Sequence, residues 1–400
     1  MLSYNLHSYG WMITDQVRTN AYAEALRRVV KPGSLVLDIG TGVGIWALLA
    51  CQFGARKVYA VEPNDVIEVA REIAAANGYA DRIEFIQQMS TRIRLPERAD
   101  VIVAEIHGSL PLFEMSLSSI IDARGRLLAS GGMLIPQREN LWAAVAEAPE
   151  SYRKQMTPWA DNPYGLDLRA ALRIVTNTRS TERIKGEQFL VEPQCWATLD
   201  YATVESVNVT GEVTWPVTRA GTGHGISAWF DTTLAEGLTI SNAPGAPEMI
   251  FGRAFFPWPE PVKLAIGDTV AVVLQANLVG EDYVWRWDTR VQDQGQAERV
   301  KARFKQSSFF GAAVCSARLH KLAGSHVPQL DEDGEIDCFI LKLMNGETAL
   351  GDIARQVSDR FPARFSQLLD ALTRVGELSE RYSRQPVENS IQLASTRQGT

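Results

Sequence analysis

Cysteine is scarce in this chain, and its four copies, Cys51, Cys195, Cys315 and Cys338, form no Cys-x-x-Cys pair. That spacing excludes a zinc ribbon and a disulfide scaffold. No metal is expected, and a reducing cytoplasm is the compartment that fits. Long apolar runs are missing too. Nothing approaches about 18 uninterrupted apolar residues, and Met1 to Thr14 is polar and aromatic rather than basic and then apolar. Neither secretion nor a membrane span is therefore expected. Positive charge is in deficit, with 40 Lys and Arg against 47 Asp and Glu and a net charge of −7. Such a balance argues against a broad phosphate-binding surface and removes nucleic acid from the expected partners. Internal repeats and low-complexity tracts are also absent.

What is there is a globular composition, 46% apolar and 22% charged, on 400 residues, a length that favours two or three cores. Residues 1–136 alternate strand-like runs (34–39, 57–61, 83–86, 101–104) with helical periods (15–28, 45–53, 66–77). This order implies βαβ units and an α/β, doubly wound, Rossmann-like parallel sheet. Residues 137–312 change to short alternating runs (141–145, 195–199, 206–210, 225–230, 270–274) between Gly, Pro and Asn, as in an antiparallel β-barrel or sandwich. A helix-compatible stretch at about 152–176 interrupts them and is expected to project as an arm. Residues 313–382 read as helical over 336–344, 349–361 and 365–375, with an Asn345-Gly346 turn. Ile340, Leu343 and Met344 would face Ile353, Val357 and Phe361, then Leu368, Leu369 and Leu372. The polar tail 383–400 is expected to be flexible.

The chemistry concentrates at the strand ends, where doubly wound sheets bind ligands. Asp38-Ile39-Gly40-Thr41-Gly42-Val43-Gly44 turns from a strand into a helix. Its glycines let backbone approach a ligand, and helix N–H groups point at it. Taken alone, the turn could serve NAD, FAD or S-adenosyl-L-methionine, or be no more than a tight turn. Glu62 closes the next strand, where a carboxylate can accept both ribose hydroxyls. An acid leading the turn suits an ammonium group better than a pyrophosphate, which favours the sulfonium cofactor. Arg18, on the helix 15–28, could meet that cofactor's carboxylate, or be a solvated helix residue. After the strand 101–104 comes Glu105-Ile106-His107-Gly108-Ser109-Leu110-Pro111-Leu112-Phe113-Glu114. Two acids in an apolar loop are costly without a cationic guest, and a guanidinium, always protonated and planar, is a suitable one. The bland alternative is a capping glutamate beside a solvated one. His107 could accept a proton there, or be a loop histidine satisfied by backbone or water.

These pieces, in this order, resemble the protein arginine methyltransferase family from about Met12 to Arg290. Met12-Ile13-Thr14-Asp15-Gln16-Val17-Arg18-Thr19 is similar to its cofactor-covering helix, and the Glu105 to Glu114 loop to its double-glutamate loop. Tyr164-Gly165-Leu166-Asp167-Leu168 resembles a segment near its dimerisation arm, and Ser241-Asn242-Ala243-Pro244-Gly245-Ala246-Pro247 its Pro-containing loop. The resemblance implies a methyltransferase acting on a peptide or protein substrate, a β-barrel, and a homodimer built by the arm. It implies that Met12, Arg18, Asp38, Gly40, Gly42, Gly44, Glu62 and Thr91 hold cofactor, and that Glu105 and Glu114 are the catalytic pair binding arginine. Met12, His107 and Phe251 would line the acceptor side.

Departures from the family pattern matter as much. Met249-Ile250-Phe251 stands where the family has Thr-His-Trp, losing the histidine that would pair with Asp15. Thr91 stands where it keeps an acid near the adenine, and its N-terminal aromatic and histidine positions map loosely onto Tyr4, His7 and Tyr9. A different acceptor, a small molecule or another peptide atom, is the alternative these departures raise, and a catalytically silent binding protein is a second. The C-terminal block resembles the small PqqD-like winged-helix domains that bind leader segments of precursor peptides. A strand edge before Gly334 would then capture an extended peptide by β-augmentation. The alternative is a structural or dimer-stabilising domain.

Overall fold

The computed structural model describes residues 5–295 and 299–384, so Tyr4 and most of the expected tail lie outside the described residues. Two compact units divide at Ala313 and Val314.

In the first unit, α1 (Leu6–Thr14) and α2 (Gln16–Val29) precede β1 (Leu35–Ile39), α3 (Ile45–Gln52), β2 (Lys57–Val61), α4 (Val66–Ala76), β3 (Ile83–Ile86), β4 (Ala99–Ala104), α5 (Ser116–Arg126) and β5 (Leu128–Ile135). Asp15 starts α2 by accepting the Arg18 N–H at 3.1 Å. Tyr22, Ala25 and Leu26, three and four residues apart, then give that helix its buried face. The strands pair in parallel in the order β3-β2-β1-β4-β5. The order reverses at β1 and β4, so the crevice between their carboxyl ends is the switch point where such sheets bind ligands.

The antiparallel part contains β6 (Arg138–Ala146), α6 (Pro149–Ala160), α7 (Leu172–Val175), β7 (Ser180–Glu182), β8 (Gln194–Asp200), β9 (Val209–Pro216), β10 (Gly221–Ala235), β11 (Leu238–Ser241), β12 (Arg253–Leu264), β13 (Thr269–Val279), β14 (Asp282–Gln292) and β15 (Val300–Ser307). Two sheets result, β7-β12-β10-β6-β8 with β11 on β10, and β15-β14-β13-β9. Both sheets are antiparallel, as expected for this part of the chain. The run expected at 206–210 starts at Val209, because the Ser206 hydroxyl accepts the Asn208 N–H at 3.1 Å and turns the chain first. In the arm, Tyr152 Oη donates to Pro259 O at 3.0 Å, while Tyr164 and Leu166 are 80% and 60% exposed. The change from parallel to antiparallel at about residue 136 is one of topology and not of packing: a single buried apolar cluster includes Leu37, Ile102, Trp215 and Trp285.

The second unit holds α8 (Ser316–Lys321), α9 (Glu332–Leu343), α10 (Leu350–Arg360) and α11 (Leu368–Tyr382). Ile336, Ile340, Ile353, Ala354, Val357, Phe365, Ala371, Val375 and Leu378 form its core. Two expectations fail here. Leu368, Leu369 and Leu372 are exposed, and α11 turns the small-residue face Ala371, Val375 and Leu378 inward, since only those positions recur at helical spacing along its whole length. Among the described residues of this unit, no strand precedes Gly334. Asp331 accepts the Gly334 N–H at 2.9 Å as a helix cap, and Glu332, Asp333 and Glu335 suit the positive end of the helix that follows. The described residues of this unit therefore include three packed helices without a wing, and β-augmentation has no edge there.

The corrected face can be checked by calorimetry. Ile340→Ala should cost about 2–5 kcal/mol, and Leu369→Ser should stay within about 0.5 kcal/mol. The loss in Ile340→Ala should fall on the transition of the C-terminal unit alone. Equal losses in the two variants would contradict the assignment.

Candidate functional site

The strand register assembles the site. Ile39 of β1 pairs with Val61 of β2 on one side and with Ala104 of β4 on the other. The next residue on each strand therefore emerges at the same level, which sets Gly40, Glu62 and Glu105 side by side at the switch point. Around them lies a cleft of about 220 Å³ lined by Tyr9, Met12, Arg18, Glu62, Glu105 and Glu114, among others. A single water takes roughly 30 Å³, so the space is of ligand size.

Gly40 and Gly42 form its floor with φ of 73° and 52°, a backbone conformation that favours glycine. A Cβ on Gly40 would meet Ile106 at 2.8 Å, and one on Gly42 would meet the Tyr9 ring at 2.6 Å. Gly44 does not line the cleft. It caps α3 with φ of 88°, in the left-handed region, and a Cβ there would also meet Ala70 of α4 at 3.3 Å, so its requirement is the backbone of the turn together with helix packing.

Asp38 is also outside the lining residues. It is fully buried and serves the turn itself: Oδ2 accepts the Thr41 hydroxyl at 2.6 Å and the Ala47 N–H at 3.1 Å, while Oδ1 is buried without a hydrogen-bond partner. Burial pushes its carboxyl up to about 7 against the lowering effect of the Thr41 and Ala47 hydrogen bonds. Glu62 is 5% exposed and lines the cleft. Its Oε1 accepts Asn64 N–H at 3.0 Å and Asn64 Nδ2 at 2.7 Å and its Oε2 accepts Gly42 N–H at 3.2 Å, which leaves a lone pair on Oε2 for a hydroxyl donor. Thr91 does not reach the cleft. Gln88, Met89 and Ser90 do, because the 3-10 turn starting at Ser90 carries the chain away before Thr91.

Arg18 is buried and lines the cleft. Its guanidinium pairs with Glu105, donates to Met12 O at 2.5 Å, and lies 5.5 Å from the Trp46 ring centroid. Trp46 Nε1 donates to the same Glu105 oxygen at 3.1 Å. Sequence reasoning missed Trp46, whose place on an apolar helix carries no signal of this bond. Glu114 sits at φ 42°, outside the usual range for a residue with a side chain. Such strain collects at functional loops. The loop is nevertheless anchored from within, since Leu110 and Leu112 are each 1% exposed in the core.

Asp15 Oδ2 accepts the Ile250 N–H at 2.7 Å, so the tie that the Thr-His-Trp histidine would supply is made here by backbone. Phe251 lines the cleft. Asn242, 3% exposed, joins this loop to the acidic one by donating to Gly252 O at 2.8 Å and Ser109 O at 3.4 Å. His107 also lines the cleft, and its Nε2 lies 2.5 Å from Oε1 of Glu139, a residue of β6 that sequence reasoning missed. One signal was available: Glu139, Leu141, Ala143 and Val145 share the inward phase of the strand, and an acid in that phase needs a buried partner.

Two family models match the chain, Ribosomal protein L11 methyltransferase (PrmA) over residues 18–157 and Arginine methyltransferase oligomerization subdomain over residues 137–290. Probable protein arginine N-methyltransferase 6 of Arabidopsis thaliana is 32% identical over 233 residues, 56% of this chain and 53% of that protein. The chain thus spans about half the length of that relative. Protein arginine N-methyltransferase 6 of Danio rerio is 32% identical over 284 residues, 68% of this chain and 79% of that protein. Among solved structures, a chain of the Trypanosoma brucei PRMT1 enzyme-prozyme heterotetrameric complex with AdoHcy superposes with a TM-score of 0.69 at 23% identity, covering 76% of this chain and 98% of that one, and so shares the fold. With this coverage and identity, the chain belongs to the protein arginine N-methyltransferase family.

Proposed function

We propose that the protein transfers a methyl group from S-adenosyl-L-methionine to a side-chain nitrogen of a protein or peptide, an arginine guanidinium held by Glu105 and Glu114. The observation that carries this reading is the adjacency of Gly40, Glu62 and Glu105 at the ends of three neighbouring strands.

The residues present fit the cofactor. The bare backbone at Gly40 and Gly42 admits a close ligand where a Cβ would collide. Glu62 supplies the acid for a ribose, and Arg18, whose Nε is buried without a partner, supplies a cation for a carboxylate. Met12 and Tyr9 line the same cleft, and Asp38 holds the turn in shape. When bound, S-adenosyl-L-methionine supplies an electrophilic methyl group on a cationic sulfur. Glu105 and Glu114 accept N–H groups from the guanidinium, fix the direction of its attacking nitrogen and offset its charge, so the chain acts by positioning and electrostatics. A guanidinium already rests on Glu105 within this chain, that of Arg18, which supports the choice of guest.

The finer readings are these. Residues up to about 136 would carry the cofactor and those from 137 to 312 the acceptor side. The arm would build a homodimer through Tyr164 and Leu166, which stand exposed at its tip. The four cysteines are all free, which supports a reducing cytoplasm. No helix among the described residues is long and apolar enough to cross a membrane. The C-terminal unit would help to select a precursor peptide, as its PqqD-like sequence suggests. Its exposed Leu368, Leu369 and Leu372 offer an apolar surface for one, with helix packing in place of strand addition.

Three outcomes are expected. Glu62→Ala should weaken binding of S-adenosylhomocysteine about 10- to 100-fold by calorimetry, the size of a lost charge-assisted hydrogen bond. With isotopically labelled cofactor and arginine-containing precursor peptides, mass spectrometry should place the label on arginine, and Glu105→Gln and Glu114→Gln should each lower turnover on the order of 100-fold. Label on another atom, or both variants within a few-fold of the parent, would refute the clamp. Tyr164→Glu with Leu166→Glu should shift the protein from dimer to monomer in sedimentation, and an unchanged mass would remove the arm from the interface.

A further inference from the structure

Glu139 is fully buried, and three groups converge on it. His107 Nε2 lies 2.5 Å from Oε1, Thr232 donates its hydroxyl to the same oxygen at 3.2 Å, and Tyr201 Oη donates to Oε2 at 2.7 Å. Stability does not account for this arrangement, because a buried ion pair gains little over apolar residues of the same volume. Its geometry has a direction. The His107 side chain is 2% exposed, and its ring stands 5.4 Å from the ring of Phe230 and 5.9 Å from that of Phe251. Both ring nitrogens are buried without an aligned hydrogen bond; Nε2 stands in close charge contact with Glu139, while Nδ1, on the other edge, has no polar partner at all. That side chain lines the same cleft as Glu105 and Glu114. A buried, unpartnered nitrogen at the wall of a ligand cleft calls for a partner from the ligand.

We propose that His107 is the proton acceptor for the bound guanidinium, fixed by Glu139 in the tautomer that carries hydrogen on Nε2 and leaves Nδ1 as the base. This rests on the arginine reading above. The balance requires such a group. The attacking nitrogen's lone pair forms the new N–C bond, and the electron pair of the broken C–S bond stays on sulfur. The product guanidinium is again a cation, so one N–H proton must leave. It passes to Nδ1, and the imidazolium formed lies against the Glu139 carboxylate.

Charged and titratable groups around His107 set its behaviour: Glu105 on its own loop, Arg18 and Tyr22 on α2, Glu139 on β6, and Tyr201 beside Glu139. Burial of both tyrosines pushes their pKa well above 10, so they stay neutral. Burial of His107 disfavours its charged form, but Glu139, by charge and by hydrogen bond, outweighs that and places it above the ordinary histidine value. His107 is then neutral only on the alkaline side of that raised value, and turnover should fall as pH drops through it.

The test combines nitrogen NMR of the imidazoles with kinetics. The chain has five histidines, and His107→Gln assigns the signal. With S-adenosylhomocysteine present, an arginine peptide should move the Nδ1 resonance of His107, and the same peptide with lysine should not. Glu139→Gln should lower the titration midpoint of His107 and carry the acidic limb of turnover down with it. His107→Gln should reduce kcat on the order of 100-fold, change KM for the peptide little, and abolish that limb. The double variant should be no slower than His107→Gln. Heat of cofactor-product binding confirms that each variant is folded, and the double variant, with two amides facing each other, guards against misfolding from an unpaired charge. Should the parent methylate arginine while His107→Gln retains kcat and the acidic limb, this proposal falls alone. Should the parent methylate no arginine and Nδ1 ignore the peptide, both readings fall.

Discussion

The pairing of β1 between β2 and β4 is the constraint on which the site depends. Ile39 faces Val61 and Ala104 across parallel ladders, so three loops leave the sheet at one level. In a parallel pair, a slip by one residue turns every side chain to the opposite face. Because β1 is buried along its whole length, that slip would exchange the residues packed on its two covered faces and misfit both layers. Core packing thereby fixes the spacing between Gly40, Glu62 and Glu105 without any direct bond among the three. The site inherits its precision from the hydrophobic interior, which is how a family can vary its loops and keep its geometry.

Around that fixed frame, each buried acid is held by donors from the chain itself. Asp38 takes Thr41 and the start of α3, Glu62 takes Asn64 and Gly42 N–H, Glu105 takes Arg18 and Trp46, and Glu139 takes His107, Tyr201 and Thr232. A buried carboxylate without such partners would be strongly destabilising. The partners also restrict motion, because a carboxylate with two or three directed donors has one orientation. Asn242 extends this order to the opposite wall by tying the acidic loop to the segment leading to Phe251.

Much of this was legible in the sequence. The parallel strands, the glycine turn, Glu62 and the acidic loop announce themselves through local signals: alternation, a turn that glycine favours, an acid at a strand end. The parts that were not legible depend on contacts between distant segments. Nothing local distinguishes an acid that faces a ligand from one that braces a turn, so Asp38 read as a contact residue and proved to be behind the floor. Gly44 matched the motif because a left-handed helix cap and close helix packing both require glycine there. In α11, Leu368, Leu369 and Leu372 outweigh Ala371 by hydropathy, and the Ala371 face emerges only when the helical spacing is followed on to Val375 and Leu378. The tie from Asp15 to Ile250 N–H replaces a side chain by backbone, a substitution that sequence cannot announce.

The sign of the cleft bears on what it can accept. Glu62, Glu105 and Glu114 line it, with Arg18 and His107 as the basic groups, and His107 is already matched by Glu139 behind it. Arg18 in turn pairs with Glu105 and donates to Met12 O, with its Nε alone left without a partner. On the reading proposed above, a neutral acceptor would bring no charge to set against the three acids that line the cleft, in surroundings of low dielectric where charge costs most. A cationic acceptor lowers the same cost on entry, and a planar one with several donors can reach both carboxylates at once. Lysine would satisfy the charge but offers a single point where two separated acids require a fork. On the reading proposed above, the arrangement of charge would discriminate among nitrogens before any bond is made, through groups whose positions the sheet has already fixed.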